Sequence, residues 1–261
     1  MTAKHTNGLM TGFLDQIVLH DMEKVKLMNR MDTKYWFEHS NLQSIIDSIN
    51  SQYYLLHIVG KSQMTYATTY FDTNSNSLYG AHHNGKLNRY KIRKRIYMDS
   101  GIAFLEIKFK NNKGKTRKTR IPTAVNNMQL SNEDMEFIQS RSPYKGAELS
   151  TSLTNEFTRI TLVNKNFKER CTIDTNISYM HQNKRCELKN LVIVEIKSEG
   201  KPCQSPLVLA LRNHRLRASG FSKYCVGRTL TDSSLKSNSF KKKIRMIEKV
   251  TNTDLVPSQI N

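Results

Sequence analysis

The chain has 261 residues, 38% hydrophobic and 24% charged, which points to a folded soluble protein with room for a sizeable core. Its 41 Lys and Arg stand against 22 Asp and Glu, a formal net charge of +19, so the expected partner is a polyanion: nucleic acid, an anionic membrane surface or phosphates. The longest clean apolar stretch in a strand-like segment, Leu191–Val194, is far too short for a membrane span, and no sustained apolar run follows Lys4. Cys171, Cys186, Cys203 and Cys225 make no C-x-x-C pair and no zinc spacing with His, so free thiols in a reducing cytoplasm are expected.

In chain order, residues 1–26 read as a weakly patterned lead-in. Arg30–Glu38 reads as a strand of alternating charged and aromatic residues. Ser40 is placed to cap a helix whose Leu42, Ile45, Ile46 and Ile49 form an apolar stripe. Met64–Thr73 is rich in Thr and Tyr and reads as a strand, followed by a turn and a short irregular or helical link over residues 78–88 that holds His82 and His83. Arg89–Lys110 reads as a hairpin turning at Asp99, Ser100 and Gly101, and Thr116–Ile121 as a third strand ended by Pro122. Ser131, with Asp134 three residues on, gives a capping-box start to a helix over residues 131–141. Strands follow at residues 153–163, 167–174 and 191–198, and a helix over residues 206–217. The terminal run from Ser239 to Val250 is a basic amphipathic helix or a frayed tail. No internal repeat or linker-like block interrupts the chain, so the organisation expected is a lead-in over residues 1–26, one domain over residues 27–232 and a basic tail over residues 233–261.

The hairpin carries charge where a strand usually carries core. Lys91, Arg93 and Arg95 share one face and Ile92 and Ile96 the other; Glu106, Lys108 and Lys110 oppose Leu105, Ile107 and Phe109. Lys118 and Arg120, Arg159, the Arg170-Thr172-Asp174 series and the pair Glu195 and Lys197 repeat the alternation in other strands. A half-solvated antiparallel strand shows such a pattern routinely. Here the charged positions are mostly Lys and Arg, and the helices need an apolar surface to cover. An α+β fold answers both: an antiparallel β-barrel with a basic lumen and helices packed on its outside. Such a lumen has to hold water and an anion. Phosphates suit arginine forks, and the isolated Glu195 suits a Mg²⁺ or Mn²⁺ ion bridging phosphate oxygens.

These residues resemble the VTC domain, the polyphosphate polymerase domain of the triphosphate tunnel metalloenzyme (CYTH-like) superfamily. The signatures run in the family's order: Lys34-Tyr35, Tyr70-Phe71-Asp72-Thr73, Lys91-x-Arg93-x-Arg95 followed by Tyr97, Glu106-Ile107-Lys108, Lys118 with Arg120, Arg159, Arg170-x-Thr172-x-Asp174, Glu195-x-Lys197 and Ser222-Lys223-Tyr224. They cover about residues 27 to 228. The resemblance implies an antiparallel triphosphate tunnel in which the γ-phosphoryl group of ATP is transferred to a growing inorganic polyphosphate chain, with Mn²⁺ or Mg²⁺ on the phosphates. It implies phosphate or nucleotide contacts by Lys34, Lys91, Arg93, Arg95, Lys108, Lys118, Arg120, Arg159, Lys197, Ser222 and Lys223. Arg93, Arg95, Lys108 and Glu195 would form the catalytic set, and Glu195 the metal ligand. Glu106 would either bind metal beside it or hold Arg95 or a neighbouring Lys in place. It also implies a stand-alone, bacterial-type member without the SPX and membrane domains of eukaryotic relatives.

Branches of the superfamily that hydrolyse triphosphates or cyclise nucleotides carry an early E-x-E-x-K. Here Asp32-Thr33-Lys34 supplies only its end, which favours the polymerase branch; a triphosphatase of the same fold and a non-catalytic polyphosphate-binding module are the alternatives. Gly60-Lys61-Ser62 and Gly114-Lys115-Thr116 mimic a Walker A ending, but Leu55 and Phe109 stand where its earlier glycine belongs. Without a helix-turn-helix or RRM-type pattern, no specific nucleic-acid partner is expected. The terminal Lys241, Lys242, Lys243 and Arg245 form a solvated helix face, or a contact for polyphosphate, nucleic acid, a membrane surface or a membrane protein.

Overall fold

A computed structural model describes residues 11–12, 14–25, 30–126, 129–199 and 204–255. In chain order it holds β1 (Asp15–Val18), β2 (Arg30–Glu38), α1 (Leu42–Asp47), β3 (Tyr53–His57), β4 (Gln63–Thr73) and α2 (Ser77–His83). The hairpin β5 (Arg89–Tyr97) and β6 (Ile102–Lys110) comes next, then β7 (Thr116–Pro122) and α3 (Asn132–Arg141). The long β8 (Leu149–Asn164) and β9 (Glu169–His181) precede β10 (Lys184–Leu188), β11 (Leu191–Glu199), α4 (Pro206–Asn213), α5 (Lys223–Thr231) and α6 (Asn238–Thr251). The class is α+β: β2–β11, β9–β11, β9–β10, β3–β8, β4–β5, β5–β6 and β6–β7 pair antiparallel, and β1 runs parallel to β3. No helix among the described residues is long and apolar enough to cross a membrane.

The chain forms two compact units from interleaved segments. The first comprises Met1–Gln63, Arg159–Thr175 and Asn190–Phe221. Its strands β2 and β11 pair with Lys34 opposite Glu195, and β11 pairs with β9 with Glu195 opposite Thr172. Alternation then sorts the side chains. Tyr35, Phe37, Val192, Val194, Ile196, Cys171 and Ile173 enter one core with Leu42, Ile45 and Ile46 of α1 and Leu207, Val208 and Leu211 of α4. Lys34, Glu195, Lys197, Thr172 and Asp174 are left on the face turned away from those helices. A buried glutamate anchors α4: Tyr53 and Ser205 both donate to Glu169 Oε1, and Ser205 Oγ accepts from Val208 N to cap the helix.

The second unit comprises Met64–Thr158, Asn176–Lys189 and Ser222–Asn261. Strands β4 to β7 follow one another in order. Gly101, at φ +63°, closes the β5–β6 turn in a backbone region that other residues enter at a cost. Phe71, Ile92, Leu105 and Ile107 pack with Leu78 of α2 and Ile138 of α3. The expected capping box of α3 is present, with Ser131 Oγ accepting from Asp134 N and Asp134 Oδ2 accepting from Ser131 N.

Differences from the sequence expectation have local causes. Strand β9 runs on to His181 rather than ending at Asp174, through Asn176 at φ +51°. Helix α4 ends at Asn213 because Arg215 adopts a left-handed conformation. Ser40 does not cap α1; a 3₁₀ turn over His39–Asn41 leads into it. The sequence pattern predicts no helix at α5. Val226, Gly227, Thr229 and Thr231 are poor helix formers, and Gly227 is there for packing, since a Cβ would come within 2.5 Å of the Tyr179 ring and 2.6 Å of the Leu153 side chain.

Candidate functional site

The β5–β6–β7 register builds a strongly cationic surface in the second unit. Lys91 lies opposite Lys108, which lies opposite Lys118; one row on, Arg93, Glu106 and Arg120 align. Arg89 faces Lys110 beyond the lysine row, and Arg95 faces Phe104 beyond the arginine row. Successive rows are about 7 Å apart, so four rows run for about 20 Å. Like charges placed directly across a sheet repel, and Glu106 is the only acid in these rows.

Glu106 is 1% exposed and both of its oxygens are engaged. Arg93 donates from Nε and Nη2 to Oε2 (2.8 and 2.6 Å), and Lys118 Nζ donates to Oε1 (2.9 Å). Burial works against ionisation of this carboxyl, but the charges of Arg93, Arg95 and Lys118 outweigh it and hold its pKa well below the ordinary range. Burial likewise opposes the Arg93 charge, and Glu106 and Tyr70 together hold the guanidinium above its usual value.

Aromatic rings back several of these cations. Tyr66 stacks on Phe157 with centroids 5.3 Å apart. The Arg95 guanidinium lies 5.8 Å from the Tyr66 centroid and 5.7 Å from that of Phe157, and Arg95 Nε donates to Thr68 Oγ1. Lys223 Nζ lies 4.3 Å over Phe157, and the Arg120 guanidinium 4.2 Å over Phe104. Ser222 caps α5, accepting from Cys225 N, and also accepts from Lys91 Nζ at 2.9 Å. Tyr224 fixes the helix start by donating to Asp72, whose carboxylate also accepts from the backbone of Leu78 and Tyr79.

The charged face of the first unit is more balanced. Lys34 Nζ lies 3.4 Å from Glu195 Oε1 and Lys197 Nζ 3.4 Å from Oε2. Arg159 grips Asp174 in bidentate fashion at 2.6 and 2.8 Å. Burial pushes the Lys197 ammonium down; the nearby Arg170 and Arg159 add to this, against the pull of Glu195 and Asp32. Thr172 Oγ1, directly across from Glu195, is buried with no hydrogen-bond partner. Among the described residues no group of three or more His, Cys, Asp or Glu side chains is placed to hold a metal ion. Glu195, 20% exposed and at ion-pair distances longer than a tight charged hydrogen bond, is a single carboxylate donor. That donor set fits a hard divalent ion that takes its other ligands from phosphate oxygens and water.

The expected residues thus fall into two groups. Lys91, Arg93, Arg95, Lys108, Lys118, Arg120, Ser222, Lys223 and Glu106 belong to the second unit, and Lys34, Arg159, Lys197 and Glu195 to the first. The two-residue period places Lys110 on the charged face without assigning it a contact, and it extends to Arg89 one step before Lys91. The Tyr66 and Thr68 backing in β4 and the Phe157 ring in β8 carry no sequence motif of their own.

The VTC domain family matches residues 29–231. The chain belongs to the VTC domain family. The match includes segments of both units. Solved structures resemble this VTC domain chain at low identity. A candidate adenylyl cyclase from Hippeastrum, described as having a dominant triphosphatase activity, has a TM-score of 0.49 and 13% identity over 76% of this chain and 96% of its own. Candidate adenylate cyclases from Vibrio parahaemolyticus (TM-score 0.46, 11% identity, 76% and 97% covered) and Bacillus halodurans (0.43, 13%, 89% and 96%) are also similar. A search of curated proteins finds no match.

Proposed function

We propose that the protein is a polyphosphate polymerase that transfers the γ-phosphoryl group of ATP to an inorganic polyphosphate chain. The observation that carries this reading is the cation excess on β5, β6 and β7, where Arg89, Lys91, Arg93, Arg95, Lys108, Lys110, Lys118 and Arg120 face one acid, Glu106. Four rows of cations over about 20 Å suit a linear polyanion longer than one triphosphate. Membership of the VTC domain family supports the same chemistry.

In the proposed reaction a terminal phosphate oxygen of the chain attacks the γ-phosphorus of ATP. The β–γ bridging P–O bond breaks, and ADP leaves with its electron pair. Phosphoryl transfer asks a protein mainly for alignment and charge stabilisation. Arg93, Arg95 and Lys108 provide both, with Lys91, Lys118, Arg120, Ser222 and Lys223 orienting phosphates around them. Glu106 serves as the fixed counter-charge that sets the Arg93 and Lys118 side chains. Lys34, Arg159 and Lys197 are proposed as further phosphate contacts, and Glu195 as the protein ligand of Mn²⁺ or Mg²⁺, which when bound neutralises charge on phosphate oxygens. Purified protein given ATP and Mn²⁺ is expected to make an acid-labile phosphate polymer and ADP. Release of orthophosphate alone would overturn the polymerase reading in favour of a triphosphatase.

A further inference from the structure

Helix α6 lies outside the family match, which ends at residue 231. Its apolar edge is used: Phe240, Ile244 and Ile247 are buried, and the Phe240 ring packs on Tyr79, His82 and His83 of α2. The opposite edge is basic. Lys241, Lys242, Arg245 and Lys249 line one shallow groove with Asn238 and Met246. Lys241, Arg245 and Lys249 recur at four-residue steps and Lys242 stands three before Arg245, so they form one stripe of charge about 12 Å long.

This arrangement is electrostatically unfavourable for the helix alone. Lys241, Lys242 and Lys243 crowd its first turns, where the helix dipole disfavours cations, and no acidic residue stands in the first turn to offset them. An anionic partner removes that conflict. The stripe has no aromatic side chain on which bases could stack, which sets it apart from single-stranded nucleic-acid surfaces. The apolar edge of α6 is already packed against α2, which leaves Met246 as the exposed apolar side chain beside the bases, too little to sink the helix into a bilayer. A linear polyanion without bases or acyl chains matches what remains.

We propose that the basic stripe of α6 is a docking surface for inorganic polyphosphate, holding chain that extends past the β5–β7 rows. This rests on the polymer chemistry proposed for the same unit. It extends that reading to a helix outside the residues that the family matches.

The test compares the full chain with the quadruple variant K241Q, K242Q, R245Q and K249Q, and with K241R, K242R and K249R combined. The probes are long-chain polyphosphate, tripolyphosphate, single-stranded RNA and phosphatidylserine vesicles. The glutamine variant should bind long-chain polyphosphate about tenfold or more weakly, the sum of four exposed charge contacts, with tripolyphosphate affinity unchanged. The arginine variant should bind as the parent does. Its glutamine counterpart should melt no lower than the parent, because the first-turn conflict is relieved. Unchanged long-chain binding, an equal loss for tripolyphosphate, or a loss confined to RNA or vesicles would overturn the inference. A parent protein that makes no polymer but shows the α6-dependent long-chain binding would retire the polymerase reading and leave the docking surface standing. Polymer synthesis with no effect of the glutamines on binding would do the reverse.

Discussion

Lys94 Nζ lies 3.2 Å from Asp134 Oδ2, and both side chains are 1% exposed. Arg93, its neighbour in sequence, points to the opposite face of β5 and grips Glu106. One strand therefore carries two kinds of buried charge. The ammonium also donates to the Gln129 carbonyl, while the Asp134 carboxylate accepts from Thr123 Oγ1 and Ser131 N at the start of α3. The Lys94–Asp134 pair thus ties helix to sheet, far from the cationic rows by orientation. Lys94→Met should destabilise the protein by about 3 kcal/mol, since it strands a buried carboxylate. Denaturant midpoints check the loss, and the tripolyphosphate affinity of the folded protein should not change. A drop in affinity without loss of stability would contradict the assignment.

Glu106 is predicted to matter most when no anion is bound. Glu106→Gln removes the charge that offsets Arg93 and Lys118, so it should cost roughly 3 kcal/mol of stability. Added tripolyphosphate should raise the melting temperature of the variant by more than that of the parent, because the anion supplies the missing charge. The folded-state pKa of Glu106 is held below the ordinary glutamate value of 4.5. The contribution of a depressed carboxylate is full above its unfolded pKa and is lost as pH falls through the folded one. The stability gap between parent and variant should therefore be constant at neutral pH and narrow below about pH 4.5. A gap that widened in acid would have the wrong sign for this pair.

His82 reports on the outer row. Burial, followed by the charges of Lys91, Arg89 and Lys110, pushes its pKa down to about 3. Its Nδ1 is buried with no hydrogen-bond partner. If phosphate chain reaches the Arg89–Lys110 row, the added negative charge should raise the His82 pKa, and a histidine-selective NMR titration with and without polyphosphate measures this. Combined Arg89→Gln and Lys110→Gln should raise it in the free protein and abolish most of the ligand-induced change. An unmoved His82 in saturating polyphosphate would place the chain elsewhere.

Much of this was readable from single strands. A two-residue period is local, so the split of Arg93 from Lys94, the bounds of β2 and the orientation of Glu195 follow from alternation alone. The capping box of α3 is equally local. What escaped depends on contacts distant in sequence. The Lys91–Lys108–Lys118 row needs the register of three strands. The Phe157 ring between Arg95 and Lys223 joins segments some 60 residues apart on either side. Helix α5 is stabilised by packing at Gly227 against Tyr179 and Leu153 rather than by its own propensities. Asp134 gives no hint, as a residue, that Lys94 is its partner.

Glu195 is predicted to separate binding from turnover. Its oxygens face Lys34 and Lys197, so its removal leaves the first unit's charged face more positive. Glu195→Gln should therefore keep or tighten metal-free tripolyphosphate binding, measured by calorimetry in the presence of chelator. The same change removes the only protein carboxylate assigned to the divalent ion. ATP turnover should fall by about a hundredfold or more, the scale seen when a group that stabilises transition-state charge is lost. The melting temperature should stay close to that of the parent, because the two ion pairs are long and partly solvated. Raising Mn²⁺ should recover part of the lost rate if phosphate oxygens supply most of the ion's ligands. Full turnover in Glu195→Gln would remove this residue from the reaction, and lost tripolyphosphate binding in chelator would recast it as an organiser of Lys34 and Lys197.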